Sequence, residues 1–213
     1  MPRAPLTETE EARTRERLCD AALELYREHG QEAVTFRRLA EALGTSHTRP
    51  YRYFEDKDAL MAELRLRCFR AFADVIRGSD PGGHDPAARL RSIHAGIMRY
   101  VHDHPAEYRL MFSLRQPPLD TYPALLTARR TAFDYLVDVV QQAVDQGRIT
   151  GDARTIVHVA WGAVHGVLSL HAADQLVHGR TLAQLTTPIL YTVLGPLFDD
   201  AGAGGAHIRR ATG

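Results

Sequence analysis

Residues 35–54 read TFRRLAEALGTSHTRPYRYF, and this stretch predicts two helices joined by a short turn. Thr35 stands at an N-cap position, where its hydroxyl can accept a hydrogen bond from a free amide of the first helical turn. Apolar residues then recur at helical spacing, and Gly44 follows as the residue type that ends a helix without steric cost. Ser46 can cap a second helix, about His47–Tyr53. This is the pattern of a helix-turn-helix, whose second helix lies in the DNA major groove.

Charge supports this interpretation locally. The whole chain carries 26 basic and 26 acidic residues, which excludes a general affinity for polyanions. Within residues 35–54, however, there are four arginines and only one acidic residue, Glu41, and Lys57 follows shortly after. A solvated basic surface on an ordinary helical hairpin would have the same composition. We therefore expect phosphate binding, if present, to be confined to this face.

Five segments of the first third of the chain carry a family resemblance. They are Ala21–Tyr26, Gly30, Thr35–Gly44, Tyr51–Phe54 and Lys57–Leu60. In composition and spacing they resemble the DNA-binding domain of the tetracycline-repressor (TetR) family of bacterial regulators. Two positions depart from the family pattern: Thr45 replaces an apolar turn residue and Pro50 replaces leucine. Because proline has no amide to bond the Ser46 carbonyl, the second helix is expected to begin tightly or with a slight kink.

The resemblance implies an all-α protein with two parts. Residues 1–56 are expected to form a three-helix DNA-binding domain that contains the helix-turn-helix. Residues 57–213 are expected to form a helical ligand-binding and dimerisation domain. A long helix, about Lys57–Arg77 and capped by Asp56, joins the two. In the family this helix transmits ligand-driven movement to the recognition helices, and the resemblance implies the same here.

Helical periodicity and stop signals predict the remaining elements. Met1–Glu11 is expected to be a flexible arm because it is polar and rich in proline, threonine and glutamate. The predicted helices are about 12–29, 85–104 with Asp85 as its cap, a short one from Pro105, 124–146, one capped by Asp152 and running to about Ala173, and 182–198 with a break or bend near Pro188.

The segment Ile156–Ala173 is apolar on nearly every side. It is shorter than the roughly 20 residues that span a bilayer, so burial in protein is the better interpretation, and no membrane partner is expected. A small domain cannot cover one helix on all sides, so we predict a homodimer interface along it. Its small residues would allow close helix approach: Ala160, Gly162, Ala163 and Gly166. A two-fold dimer would bind an inverted-repeat operator.

The family pattern, applied position by position, assigns the contacts with double-stranded DNA. The residues expected to read base edges are His47, Thr48 and Arg49. Those expected to hold phosphates are Thr35, Arg38, Tyr51, Tyr53 and Lys57, and Arg37 and Ser46 complete the predicted DNA-binding set.

The second half of the chain suggests a site for a small apolar or aromatic effector. The candidate ligand-binding residues are Tyr100, Tyr108, Met111, Phe112, Phe133, Trp161 and His165, with Tyr135 beside them. Trp161, His165 and Gly166 resemble a subgroup of TetR-family C-terminal domains with Trp, His and Gly in this order. Each of these side chains could equally be a core residue, with the Trp161 ring packed on His165.

Other classes of site have little support. No catalytic, phosphate-loop or dinucleotide motif is present, so we expect no enzymatic activity and no cofactor. The 11 histidines show no strong zinc spacing, and no metal is expected. Two distant cysteines and a polar N-terminal stretch indicate the cytoplasm.

We therefore predict a ligand-responsive transcriptional repressor. The alternative is a small helical ligand-binding or scaffold protein whose hairpin does not contact DNA. An enzyme would have only the aromatic and histidine content in its favour.

Overall fold

The structure, a computed structural model, describes residues 8–113, 116 and 119–198. Over these residues the backbone forms eight α-helices and three short 3₁₀ segments, with no strand. The α-helices are α1 (Glu8–His29), α2 (Phe36–Ala42), α3 (Lys57–Ser79), α4 (Pro86–Asp103), α5 (Pro105–Phe112), α6 (Pro123–Asp145), α7 (Ala153–Ala172) and α8 (Leu182–Phe198). The predicted all-α fold is confirmed.

The chain divides into two compact units. The first holds the described residues up to Ala71 together with Asp103–Arg129. The second holds Phe72–His102 and the described residues from Arg130 onward. Helices α3 and α6 contribute to both units. The domain division predicted after residue 56 stays a prediction.

Four predicted N-caps have the expected geometry. The Thr35 hydroxyl accepts from the Arg38 amide at 3.2 Å, and the Asp56 carboxylate accepts from the Ala59 amide at 2.7 Å. The other two are the Asp85 carboxylate, which accepts from the Ala87 amide at 3.0 Å, and the Asp152 carboxylate, which accepts from the Thr155 amide at 2.7 Å. The starts of α2, α3, α4 and α7 were therefore predictable from local chemistry.

One helix boundary and one helix irregularity were predicted wrongly. Helix α1 begins at Glu8, so residues 8–11 are helical and not part of a flexible arm; residues 1–7 lie outside the described range. Acidic side chains in this first turn complement the positive end of the helix. The irregular backbone in α8 is at Leu194 (φ −114°, ψ 22°) and not near Pro188. Pro196 explains this, because it has no amide to bond the carbonyl four residues earlier.

The first unit contains a buried arginine and a buried glutamate. Arg65 in α3 is 1% exposed and donates to the Leu110 carbonyl at 3.2 Å and to the Ser113 hydroxyl at 3.3 Å. Glu107 in α5 is 6% exposed and accepts from Arg27 in α1. Since a buried charge is costly unless it is paired, the Arg27–Glu107 pair stabilises the packing of α5 on α1. The hydrogen bonds of Arg65 join α3 to the end of α5.

A second buried charge network orders the second unit. The Asp80 carboxylate, 2% exposed, accepts from the Arg89 guanidinium at 2.6 Å, the Tyr135 hydroxyl at 2.7 Å and the Gly82 amide at 2.8 Å. Arg89 also donates to the Gln142 side chain at 2.7 Å. The network ties the residue after α3 to α4 and α6. Hydrogen bonds from Arg89 hold the pKa of Asp80 at about 2.

Candidate nucleic-acid interface

Helix α2 is fixed at both ends. Beyond its Thr35 cap, Gly44 takes a left-handed conformation (φ 60°) and donates to the Glu41 carbonyl at 3.1 Å, while the Thr45 amide donates to the Ala40 carbonyl at 2.9 Å. This pair of bonds is the Schellman arrangement, which requires a residue tolerant of positive φ and so favours glycine. These bonds fix the direction in which the backbone leaves α2 and enters the following turn.

The segment after this turn is not the α-helix predicted for residues 47–53. It contains a 3₁₀ helix, Pro50–Arg52. The Arg49 amide donates to the Ser46 carbonyl at 3.0 Å, and the Tyr53 amide donates to the Pro50 carbonyl at 3.0 Å, both three residues back. Pro50 cannot donate to Ser46, so the tighter pattern prevails. The expectation of a tight start is confirmed. We call residues 47–53 the recognition turn.

The predicted capping role of Ser46 is also wrong. The 3₁₀ helix has Arg49 as its N-cap residue, with no side-chain cap bond. The Ser46 hydroxyl instead lies 3.3 Å from the Thr48 hydroxyl. Both hydroxyls are on exposed residues, where they remain accessible to a partner.

The side chains of the recognition turn are directed mainly outward. His47, Thr48 and Arg52 are exposed, Arg49 is half-buried, and Tyr51 is 63% exposed. The Tyr51 ring meets the ring of Phe36 edge-on, with 4.6 Å between centroids. Tyr51 is thus fixed against α2 by an aromatic contact while its remaining surface faces solvent.

The remaining predicted DNA contacts surround the turn. Arg37 is exposed and forms an ion pair with Glu41 at 3.2 Å, and Arg38 is half-buried. Lys57, the first residue of α3, lies 4.0 Å from Glu32. Both ion pairs are at the surface, where such pairs contribute little, so these cations can exchange a carboxylate for a phosphate at small cost.

Arg15 is a supporting residue that sequence reasoning missed. From α1 its guanidinium donates to the Tyr53 carbonyl at 3.0 Å and to the Glu63 carboxylate at 2.7 Å, and it lies over the Phe54 ring at 4.5 Å. It therefore joins α1, the end of the recognition turn and α3. The partners are 38 and 48 residues away, so no local pattern could have indicated this role.

The predicted ligand-binding residues fall into both units. Tyr108, Met111 and Phe112 belong to the first, where Phe112 packs edge-on against Phe69 with centroids 5.5 Å apart. Tyr100, Phe133, Trp161 and His165 belong to the second. Tyr100, Tyr108 and Met111 are buried, and burial raises the pKa of the Tyr108 hydroxyl. Their contact with an effector stays a prediction.

Trp161 and His165 pack against each other as the alternative interpretation expected. Their rings are stacked, with centroids 5.2 Å apart and planes at 11°. Trp161 is still 38% exposed, and burial lowers the pKa of His165. Stacking does not exclude a ligand contact, because part of the indole remains accessible.

A second face of α7 carries an open apolar stripe. Val159, Gly162, Gly166 and Leu170 recur at spacings of three and four and share one side of the helix. Val159 is 56% and Leu170 46% exposed. Apart from the adjoining residues and the backbone of α7 itself, no described atom lies within 4 Å of the position a Cβ would take at either glycine. The stripe has a shallow centre between two exposed aliphatic side chains.

Three further features concern other kinds of site. Cys19 and Cys68 are buried, and burial raises the pKa of their thiols to about 11 and about 12. Within the described ranges no three His, Cys, Asp or Glu side chains are grouped to hold a metal ion. In that same part of the chain no helix combines the length and hydrophobicity needed to cross a bilayer.

Fold and surface together define a helix-turn-helix protein of the all-α class. Two family models match the chain: "Bacterial regulatory proteins, tetR family" over residues 18–64, and "Tetracyclin repressor-like, C-terminal domain" over residues 90–190. Together they cover about two thirds of the residues. The chain belongs to the TetR family of bacterial regulators. The Trp-His-Gly subgroup stays a prediction.

Individual relatives agree with this membership. The chain is 34% identical to the HTH-type transcriptional repressor KstR of Rhodococcus jostii over 91 residues, which is 43% of this chain and 42% of KstR. The aligned region spans about half the length of the curated relatives it matches.

Solved structures share the fold. The TetR-family regulator PfmR from Thermus thermophilus superposes with a TM-score of 0.65 at 18% identity, covering 84% of this chain and 97% of PfmR. The regulator FadR from Bacillus subtilis, solved in complex with stearoyl-CoA, gives a TM-score of 0.69 at 16% identity, covering 85% of this chain and 98% of FadR.

Proposed function

We propose that this chain is a ligand-responsive transcriptional repressor of the cytoplasm that binds an inverted-repeat operator as a homodimer. The observation that carries the proposal is the recognition turn. Its polar side chains point to solvent, while its backbone is supported by Arg15 and its Tyr51 ring by Phe36. A rigid, outward-facing polar turn beside several arginines suits DNA recognition and has no obvious role in a core.

Within this proposal the side chains have distinct roles. His47, Thr48 and Arg49 read base edges, with Arg49 donating two hydrogen bonds to guanine. Phosphates are held by Thr35, Arg37, Arg38, Ser46, Tyr51, Tyr53 and Lys57. Residues 1–56 form the reading domain, and residues 57–213 bind the effector and dimerise.

Helices α7 and α8 support the dimer. They pack on each other within the second unit, and α8 has no charged residue between Leu182 and Phe198. A second copy would cover Val159 and Leu170 and bring its own helix close at Gly162 and Gly166, where no side chain intervenes.

Val159→Glu is expected to convert the dimer to a monomer at micromolar concentration. Two symmetry-related carboxylates would be buried in an apolar seam without partners, which costs several kcal/mol. Sedimentation velocity measures the change. Val177→Glu is the matched control, since Val177 is 67% exposed but lies between α7 and α8 and should leave the dimer intact. If both variants sediment in the same oligomeric state, the stripe is not the dimer interface.

The effector acts by differential affinity for two dimer geometries. A small apolar or aromatic molecule binds in the C-terminal part of the chain, among the predicted aromatic residues, and favours the geometry in which the two recognition turns no longer fit successive grooves. That FadR of Bacillus subtilis was solved with stearoyl-CoA provides a precedent for a small ligand in this fold.

Operator binding tests the whole proposal. Fluorescence anisotropy with labelled DNA from the intergenic region beside the gene should give specific binding that weakens steeply between about 50 and 200 mM salt, because phosphate contacts release counterions. Scrambled DNA of equal length is the control. Specific binding that is insensitive to salt would contradict the phosphate contacts. Failure to bind any of this DNA would favour a ligand-binding or scaffold protein.

A further inference from the structure

A cleft of about 280 Å³ lies in the first unit, directly behind the recognition turn. Four elements form its walls: α1, the end of the recognition turn, the first turns of α3 and the start of α6. Its lining includes Arg15, Tyr53, Glu55, Ala62, Glu63 and Tyr122. None of the seven residues predicted to bind an effector contributes to it. The cleft is therefore a separate candidate site.

The floor of the cleft is apolar. Ala62 and Leu66 from α3 and Leu125 from α6 line it and are buried. The side chains of Tyr53, Phe54 and Tyr122 add aromatic surface. An apolar floor with aromatic walls suits the hydrocarbon part of a small organic molecule, and the volume lies just below the usual range for ligand pockets, so only a small ligand fits.

The charges of the lining leave one carboxylate uncompensated. Arg15 and Glu63 pair at 2.7 Å, and Arg67 lies 3.6 Å from the second oxygen of Glu63. Glu55 is exposed at the rim and forms no ion pair with any described residue. Burial raises the pKa of Tyr122, and the negative charges of Asp56, Asp58 and Glu55 raise it further. The hydroxyl of Tyr122 therefore lies in a negative potential. The lining thus favours positive charge.

We propose that this cleft binds a small organic cation with an apolar body and that its occupancy weakens DNA binding through Arg15. The ammonium group pairs with Glu55 and Glu63, and the apolar body contacts the aromatic walls. A cation at Glu63 competes with the Arg15 guanidinium. Since the same guanidinium donates to the Tyr53 carbonyl, the end of the recognition turn loses a support.

The regulatory half of this inference rests on the proposed function, whereas the binding half does not. Occupancy lowers operator affinity only if the supported recognition turn binds DNA better than the released one. The coupling is then reciprocal, so that operator DNA lowers the affinity for the cation by the same factor.

Titration of the full chain with phenethylammonium tests the binding half. We expect this cation to bind at least about tenfold more tightly than the neutral 2-phenylethanol. Glu55→Gln should weaken the cation about fivefold and leave the alcohol unchanged. The control Asp74→Asn, on the exposed surface of α3, should change neither. Equal affinity for cation and alcohol, or an unchanged affinity in Glu55→Gln, would overturn the ligand class.

Ala59→Phe provides a second variant that does not depend on charge. Ala59 lines the cleft and is only half-buried, so the larger side chain can enter the cleft and should abolish binding of the cation while the thermal midpoint stays close to that of the parent. A protein that is folded and still binds the cation with parental affinity would show that the cleft is not the site.

Operator affinity measured with and without saturating phenethylammonium tests the regulatory half. We expect a loss of at least about fivefold, absent in Ala59→Phe at the same concentration because that variant does not bind the cation. Cation binding with unchanged operator affinity would overturn the coupling alone. A protein that binds the cation but no DNA would refute the proposed function and the coupling together, and the titration alone would still decide the ligand class.

Discussion

Replacing Arg49 with alanine is expected to weaken operator binding by about 5- to 150-fold, which corresponds to the 1–3 kcal/mol of one paired arginine–guanine contact. Arg49 is half-buried and is the N-cap residue of the 3₁₀ helix. Fluorescence anisotropy on the operator and on operators altered one base pair at a time measures the effect. Arg49→Ala should lose the discrimination between base pairs at one position of each half-site.

Two matched variants separate a base contact from simple charge loss. Arg49→Lys keeps the positive charge but cannot form the paired contact, and should lose most of the discrimination. Arg77→Ala removes an exposed arginine in the last turn of α3 and should leave operator affinity unchanged. If Arg49→Ala weakens all DNA sequences equally, Arg49 contacts phosphate; if affinity is unchanged, its assignment to the interface is wrong.

Asp80→Ala is expected to lower the free energy of unfolding by about 3 kcal/mol or more. The substitution leaves Arg89 and the Tyr135 hydroxyl without their shared acceptor, and breaking a buried charge pair is far more damaging than losing a surface pair. Urea unfolding followed by circular dichroism measures the change. Asp74→Ala removes an exposed carboxylate paired with Arg77 and should cost less than about 1 kcal/mol.

The pH dependence of stability gives an independent check on Asp80. Its pKa is about 2 in the folded chain against an ordinary value of 3.8, so the folded state favours the ionised form. The resulting stabilisation, about 2 kcal/mol, is fully present above about pH 4 and is lost as the pH falls toward 2. The parent should lose this increment on acidification and Asp80→Asn should not. If the free energy of unfolding falls equally with acidification in both proteins, the assignment of the low pKa to Asp80 is wrong.

Features set by neighbouring residues were predictable from the sequence. Thr35, Asp56 and Asp152 are cap residues next to a periodic apolar pattern, and each forms the expected bond. The effect of Pro50 was also predictable in direction, because a missing amide acts on the next few bonds. The extent of the effect was not predictable. The free-energy difference between a 3₁₀ segment and a kinked α-helix is smaller than the contribution of the tertiary contacts around them.

Features that depend on distant partners were not predictable. Arg15 meets Tyr53, and Asp80 meets Tyr135, across 38 and 55 residues. Nothing in the local sequence of an amphipathic helix distinguishes an arginine that supports another segment from one that faces water. The cleft behind the recognition turn was not predictable for the same reason. Residues 53–66 and 121–125 line it together only in the folded chain.

Pro50 has a thermodynamic consequence for the recognition turn. Its ring fixes one backbone torsion in the free protein as well as in the bound one, so this torsion loses no freedom when the turn docks. Association then loses less conformational entropy than it would for a recognition segment that folds only on contact. The same restriction limits adaptation, since a preorganised loop accommodates unfamiliar base pairs poorly.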